Sequence, residues 1–106
     1  MTSHQLGSYQ VVCNVETPEC SLRLLRLTEK DTVRPHHHHQ TTQTYFLIQG
    51  KAEVTTGNET TLLESYETLR VPIDTVHTIR SIGEALVLSI SIPPLDPSDQ
   101  HVAAQR

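Results

Sequence analysis

Apolar and polar residues alternate along short stretches of this chain, with turn residues between them roughly every ten positions, and nowhere do apolar residues recur at helical spacing. "SYQVVCNV" at 8–15 and "SLRLLRLTE" at 21–29 flank a turn, "ETPE", that contains Pro18. The alternation of the second stretch breaks at Leu24-Leu25, which predicts a bulge or a strong bend. "QTYFLIQG" and "KAEVTT" lead to Gly57-Asn58, a pair that tolerates positive φ and so predicts a tight hairpin into "ETTLLE". "ETLRVPI" and "TVHTIRS" follow, then a turn at Gly83-Glu84. In "ALVLSISIPP" the side chains of Leu86, Leu88, Ile90 and Ile92 face one way and those of Val87, Ser89 and Ser91 the other, the clearest strand of all. "LDPSDQHVAAQR" carries no period and is expected to be a loose tail or an arm swapped onto another subunit. About eight short strands in so short a chain predict an all-β fold, a small antiparallel β-barrel or jelly roll with alternate side chains turned into a cavity. A single domain over 1–106 is expected, with its core at about 8–92 and a tail from 93 to 106.

Charge narrows the partners. The chain has 106 residues, and its 12 acidic against 8 basic side chains give a net charge of −4 without a basic cluster. A phosphate backbone or an anionic lipid surface has nothing to bind, so neither nucleic acid nor membrane is an expected partner. With no long apolar run and no leader-like N-terminal pattern, the expected location is the cytoplasm. Cys13 and Cys20, with six residues between them, fit no zinc spacing and are expected to be reduced thiols.

Four of the seven histidines stand in a row, His36 to His39. Strand-like sequence on both sides marks the run as part of the protein rather than a purification tag. A strand puts residues i and i+2 on one face, so either His36 with His38 or His37 with His39 can aim two imidazoles at one point. His77 lies in "VPIDTVHTI", in the middle of a predicted strand. A lone histidine there would be a satisfied core or rim residue; with a histidine pair elsewhere it becomes a third ligand.

The intervals among these residues resemble those of the cupin superfamily. Its first motif ends His-x-His, three or four residues, Glu, six residues, Gly; here the histidine run precedes Gln43, and six residues separate Gln43 from Gly50. Its second motif is Gly, five residues, Pro-x-Gly, two residues, His, three residues, Asn; here Tyr66, Pro72, Asp74, His77 and Ser81 occupy those positions. The resemblance implies a cupin-like double-stranded β-helix holding one divalent transition metal, zinc, nickel, iron, manganese or copper, on His36, His38, Gln43 and His77. A three-residue spacer would substitute His37 and His39 for the first pair. Gln43 replaces the usual glutamate, and an amide oxygen cancels none of the cation's charge, leaving a stronger Lewis acid.

The expected function is that of a mononuclear metal-dependent cupin acting on a small oxygenated substrate, by Lewis-acid isomerisation, cyclisation or lyase chemistry or by dioxygenation. Small cupins of uronate metabolism, which open the ring of an unsaturated sugar acid, and small polyketide cyclases look alike in ligand set. Tyr45, Asp74 and the spare histidines are candidate proton carriers, and Arg70 or Arg80 a candidate partner for a substrate carboxylate. A non-catalytic metal- or ligand-binding module is the alternative, and a storage protein ranks last. Cupins commonly pair through their sheets, which implies a homodimer.

Overall fold

The structure is a computed structural model that describes residues 7–102. Eight strands dominate it: β1 (Gln10–Glu16), β2 (Ser21–Leu27), β3 (His36–His37), β4 (Thr42–Thr56), β5 (Glu59–Leu63), β6 (Thr68–Val71), β7 (His77–Ile92) and β8 (His101–Val102). All pairings are antiparallel, in the order β1-β2-β7-β3-β8, with β4 joined to β5, β6 and β7. The fold is all-β, as the alternation predicts, and is the double-stranded β-helix that the resemblance implies. Among the described residues no helix is long and apolar enough to cross a membrane. The ends of the expected domain, 1–6 and 103–106, lie outside the described residues.

Two long strands carry the architecture. The segments "QTYFLIQG" and "KAEVTT" are one continuous β4 of 15 residues, and "TVHTIRS" and "ALVLSISIPP" merge into a β7 of 16. Gly83, at a φ of 73°, therefore bends a strand instead of closing a hairpin, and Gly50, at 91°, does the same in β4. The bends coincide: β4 and β7 pair along their length, with register shifts between Leu47 and Gln49 and between Gln49 and Lys51. A Cβ at Gly50 would stand 2.3 Å from the Glu84 carbonyl oxygen, so only glycine allows this approach. Such shifts let a strand turn a corner and contribute to both layers of a sandwich.

The irregularity expected at Leu24-Leu25 falls at that step of the β1–β2 pair, but the extra residue is on β1, between Val11 and Cys13, and β2 itself pairs with β7 without interruption. The alternation only looks broken because β2 is apolar on both faces. Leu25 and Leu27 point into the core, whereas Leu22 and Leu24 share the outer face with Ile90 and Leu88. On β7 the inward face carries Ala85, Val87, Ser89 and Ser91, and the larger Leu86, Leu88, Ile90 and Ile92 look outward. The core proper joins Leu27, Leu47, Val54, Val71, Ile79 and Val87, all essentially inaccessible to solvent. Each contributes on the order of 2 kcal/mol by burial.

The two-residue loop at Gly57-Asn58 closes the β4–β5 hairpin as expected, with Thr56 opposite Glu59. The segment after Pro94 is not loose as far as Val102. A 3-10 turn over Pro97–Asp99 leads into β8, which pairs with β3. Asp99 anchors it: the buried carboxylate accepts from the backbone N–H groups of His39 (2.8 Å) and Gln40 (3.0 Å). Cys13 and Cys20 are both free.

Candidate metal centre

His77 is the first residue of β7, not the middle of a strand, and the register of the β3–β7 pair sets it directly opposite His36. His38 lies two residues along on the same face. The ring centroids of His36 and His77 are 4.3 Å apart, those of His36 and His38 5.1 Å, and those of His38 and His77 5.5 Å. One ring nitrogen from each of the three lies within 4.8 Å of the others, and all three residues are buried. Gln43, also buried, joins them from β4, where it pairs with Ser91.

Each imidazole is oriented in the same way. The Nδ1–H groups of His36, His38 and His77 donate to the backbone carbonyls of Arg34 (2.8 Å), Asp99 (2.9 Å) and Thr75 (2.9 Å). A carbonyl can only accept, so every Nδ1 carries a proton and every Nε2 is left with a bare lone pair. The buried Nε2 of His38 has no hydrogen-bond partner. Burial, with the neighbouring His77 ring second, lowers the pKa of His36 to about 3, and burial lowers that of His77 to about 4 and also depresses that of His38. All three rings are therefore neutral at physiological pH, the form that ligates metals.

The carboxamide completes the picture. Gln43 Nε2 donates to Ser91 Oγ at 3.1 Å, which turns Oε1 toward His77 Nε2, 2.8 Å away. Since that nitrogen has no proton to give, two acceptors face each other. A shared cation accounts for the arrangement: ligands held at about 2.1 Å on adjacent corners of one ion stand about 3 Å apart. Three imidazoles and one amide oxygen, tied from behind by backbone carbonyls and a serine hydroxyl, fit a divalent transition metal, and the backing bonds are those that fix ligand orientation in metal sites.

A cavity of about 40 Å³ opens beside the triad, lined by His36, His38 and Gln43 together with Arg23, Tyr45 and Ser89, with Leu95 and Gln100 from the C-terminal segment closing one side. It has room for an ion and one or two waters, or for the reactive end of a larger molecule. Tyr45 is buried and its ring centroid lies 6.2 Å from that of His77; burial pushes its phenol well above the usual range, so it stays protonated.

The remaining sequence candidates go elsewhere. Asp74 is exposed and bonded to His39 outside the barrel, which removes it from the cavity as a proton carrier. His37 and His39 lie apart from the triad, their rings gathered with that of His101. Arg70 lies exposed on β6, and Arg80 is exposed and paired with Glu53 at 2.8 Å, so neither reaches the cavity. Arg23 does, on the inner face of β2 opposite Ser89, and it was not among the candidates. The signal for it was present: Arg23 is in phase with the buried Leu25 and Leu27, but the apparent break at Leu24-Leu25 hides that phase.

A family model described as a cupin domain matches residues 23–92. No curated protein matches the chain in sequence. Several solved structures are similar. KdgF from Halomonas sp. superposes with a TM-score of 0.75 at 21% identity, over 88% of this chain and 84% of that one. TT1209 from Thermus thermophilus does so with 0.73 at 21%, over 89% of each. An uncharacterized conserved protein with a double-stranded beta-helix domain from Klebsiella pneumoniae gives 0.76 at 18%, over 99% of this chain and 90% of that one. At these identities the likeness is one of fold.

Proposed function

The chain belongs to the cupin family, and from that membership we propose that it is an enzyme that holds one divalent transition metal on His36, His38, Gln43 and His77 and rearranges a small oxygenated acid. The observation that carries this reading is the convergence of three bare Nε2 atoms and one amide oxygen on a single buried point. When bound, the metal supplies Lewis acidity, undiminished by any ligand charge, to polarise a substrate carbonyl or hydroxyl. That favours isomerisation, cyclisation or lyase chemistry.

The protein's own groups then have distinct tasks. Arg23, its Nε donating to Asn14 Oδ1 at 3.3 Å, places a guanidinium in the cavity wall where a substrate carboxylate can be paired. Ser91 keeps the Gln43 oxygen turned inward. The protonated Tyr45 phenol can donate to a developing oxyanion, and no carboxylate among the described residues lines the cavity to compete with it. Leu95 and Gln100 restrict water on the open side.

Protein purified without a nickel column, stripped and reloaded with single metals, tests this. Unsaturated uronic acids and keto acids, suggested by the resemblance of the ligand set, are followed by NMR, with oxygen uptake recorded in parallel. The expected result is metal-dependent conversion without oxygen uptake, lost in His77→Ala, and a KM raised about tenfold or more in Arg23→Ala with kcat less affected. Oxygen consumption would replace the Lewis-acid reading with dioxygenation. Tight metal binding with no turnover in either assay would overturn the enzyme reading in favour of a binding module.

A further inference from the structure

The four-histidine run supplies two faces, and only one is used by the first centre. His37, on β3, and His39, two residues further along, alternate with His36 and His38, and β8 pairs with β3 so that His101 stands directly opposite His37. The three rings gather closely: centroids lie 5.0 Å apart for His37 and His39, 5.2 Å for His37 and His101, and 4.3 Å for His39 and His101. These separations match those of the inner triad, 4.3 to 5.5 Å.

Carboxylates back this second group as carbonyls back the first. His39 Nδ1 meets Asp74 Oδ1 at 2.6 Å and His101 Nε2 meets Asp99 Oδ1 at 3.4 Å. A ring held on one side by a carboxylate turns its other nitrogen outward as a ligand, the usual arrangement behind metal-bound histidine. That leaves Nε2 of His39 and Nδ1 of His101 as donors, beside a His37 whose Nδ1 is buried without a hydrogen-bond partner.

We propose that His37, His39 and His101 form a second cation site, on the opposite side of β3 from the first, which takes an imidazole-preferring divalent ion of the zinc and copper class and ties the C-terminal segment to the barrel. Half-buried His37 is the fixed ligand, and the more exposed rings of His39 and His101 turn onto the ion about their side-chain bonds. Because the same segment contributes Leu95 and Gln100 to the wall of the inner cavity, an ion held outside steadies the wall inside. The outer site does not depend on the function proposed for the inner one.

Tag-free, chelator-stripped protein is given zinc alone, with binding followed by calorimetry and bound metal counted by elemental analysis. The wild type is expected to take two ions per chain. His77→Ala should keep only the outer ion and His101→Ala only the inner one, which separates failure of either site from failure of the other. The exposed His39→Ala repeats the test should His101→Ala fold poorly. Asp74→Asn, which keeps the hydrogen bond to His39 but removes the charge, should weaken the outer ion about tenfold to a hundredfold. Amide exchange at 99–102 should slow when the second ion binds. A single ion per wild-type chain that His101→Ala leaves bound, or a second ion whose binding is unchanged by His101→Ala because the bare run holds it, overturns the site. Unchanged exchange with both ions bound overturns the tie.

Discussion

Tyr66 and Asp74 adopt φ values of 73° and 61°, at the two positions where the cupin pattern places glycine. The turns survive the loss of glycine, then, at the cost of strain, and Tyr66 has no compensating burial because it is 77% exposed. Tyr66→Gly is expected to stabilise the protein by up to about 1 kcal/mol in urea unfolding, the strain relieved being partly offset by a looser unfolded chain. A second consequence concerns protons. His36 and His77, with folded pKa values of about 3 and about 4, face His38, the neutral Gln43 and Ser91, with Asp99 on the far side of His38. Once the pH falls below about 6.5, the unfolded chain takes up protons that the folded chain refuses until about 4 or lower. The stability that these rings contribute is thus complete above about 6.5 and declines as the pH drops. Chelator-treated protein should melt at a lower temperature at about pH 5 than at about pH 7.5. Much of this site could be read directly from the chain, since a period of two separates the histidines into pairs and fixed intervals pick out Gln43 and His77. The choice between the pairs stayed open because three or four spacer residues both suit the pattern.

Among the elements, the short β8 and the turn before it change the reading most. Two residues are too few to show a period, so nothing in "LDPSDQHVAAQR" announces a strand, and the partners of Asp99 lie some 60 positions away. For the same reason His101 could not be grouped with the other histidines. Asp99→Ala leaves the His39 and Gln40 N–H groups without acceptors and is expected to cost about 2 kcal/mol or more in urea unfolding. β4 and β7 were visible as four strands because Gly50 and Gly83 look like turn residues; only the close approach at Gly50 shows that both glycines bend strands that run on. β2 misled for the opposite reason, its two apolar faces imitating a bulge and concealing the inward Arg23.

At the scale of the whole molecule, the outer face of the sheet formed by β1, β2, β7 and β4 carries a run of apolar side chains that the chain itself only partly buries. Leu22 and Leu24, their partners Ile90 and Leu88, and Phe46 opposite Leu88 form contiguous rows there, with the half-exposed Val15 beside Leu22. A second copy of the chain, related by a two-fold axis, would bury this face against itself. Sedimentation equilibrium is expected to return the mass of two chains, and Leu88→Arg that of one; a wild-type monomer would remove the expectation.

An uninterrupted row of four like side chains also makes β3 forgiving of slippage. Were the chain there to shift by one residue against β7, as the deletion of a single loop residue upstream could cause, His37 and His39 would refill the inward positions of His36 and His38 with identical chemistry, while Gln40 would come to the outward position of His39. Redundancy of this kind lets the loop before β3 vary in length over evolutionary time without disarming the centre, a latitude that isolated histidines separated by other residues would not have.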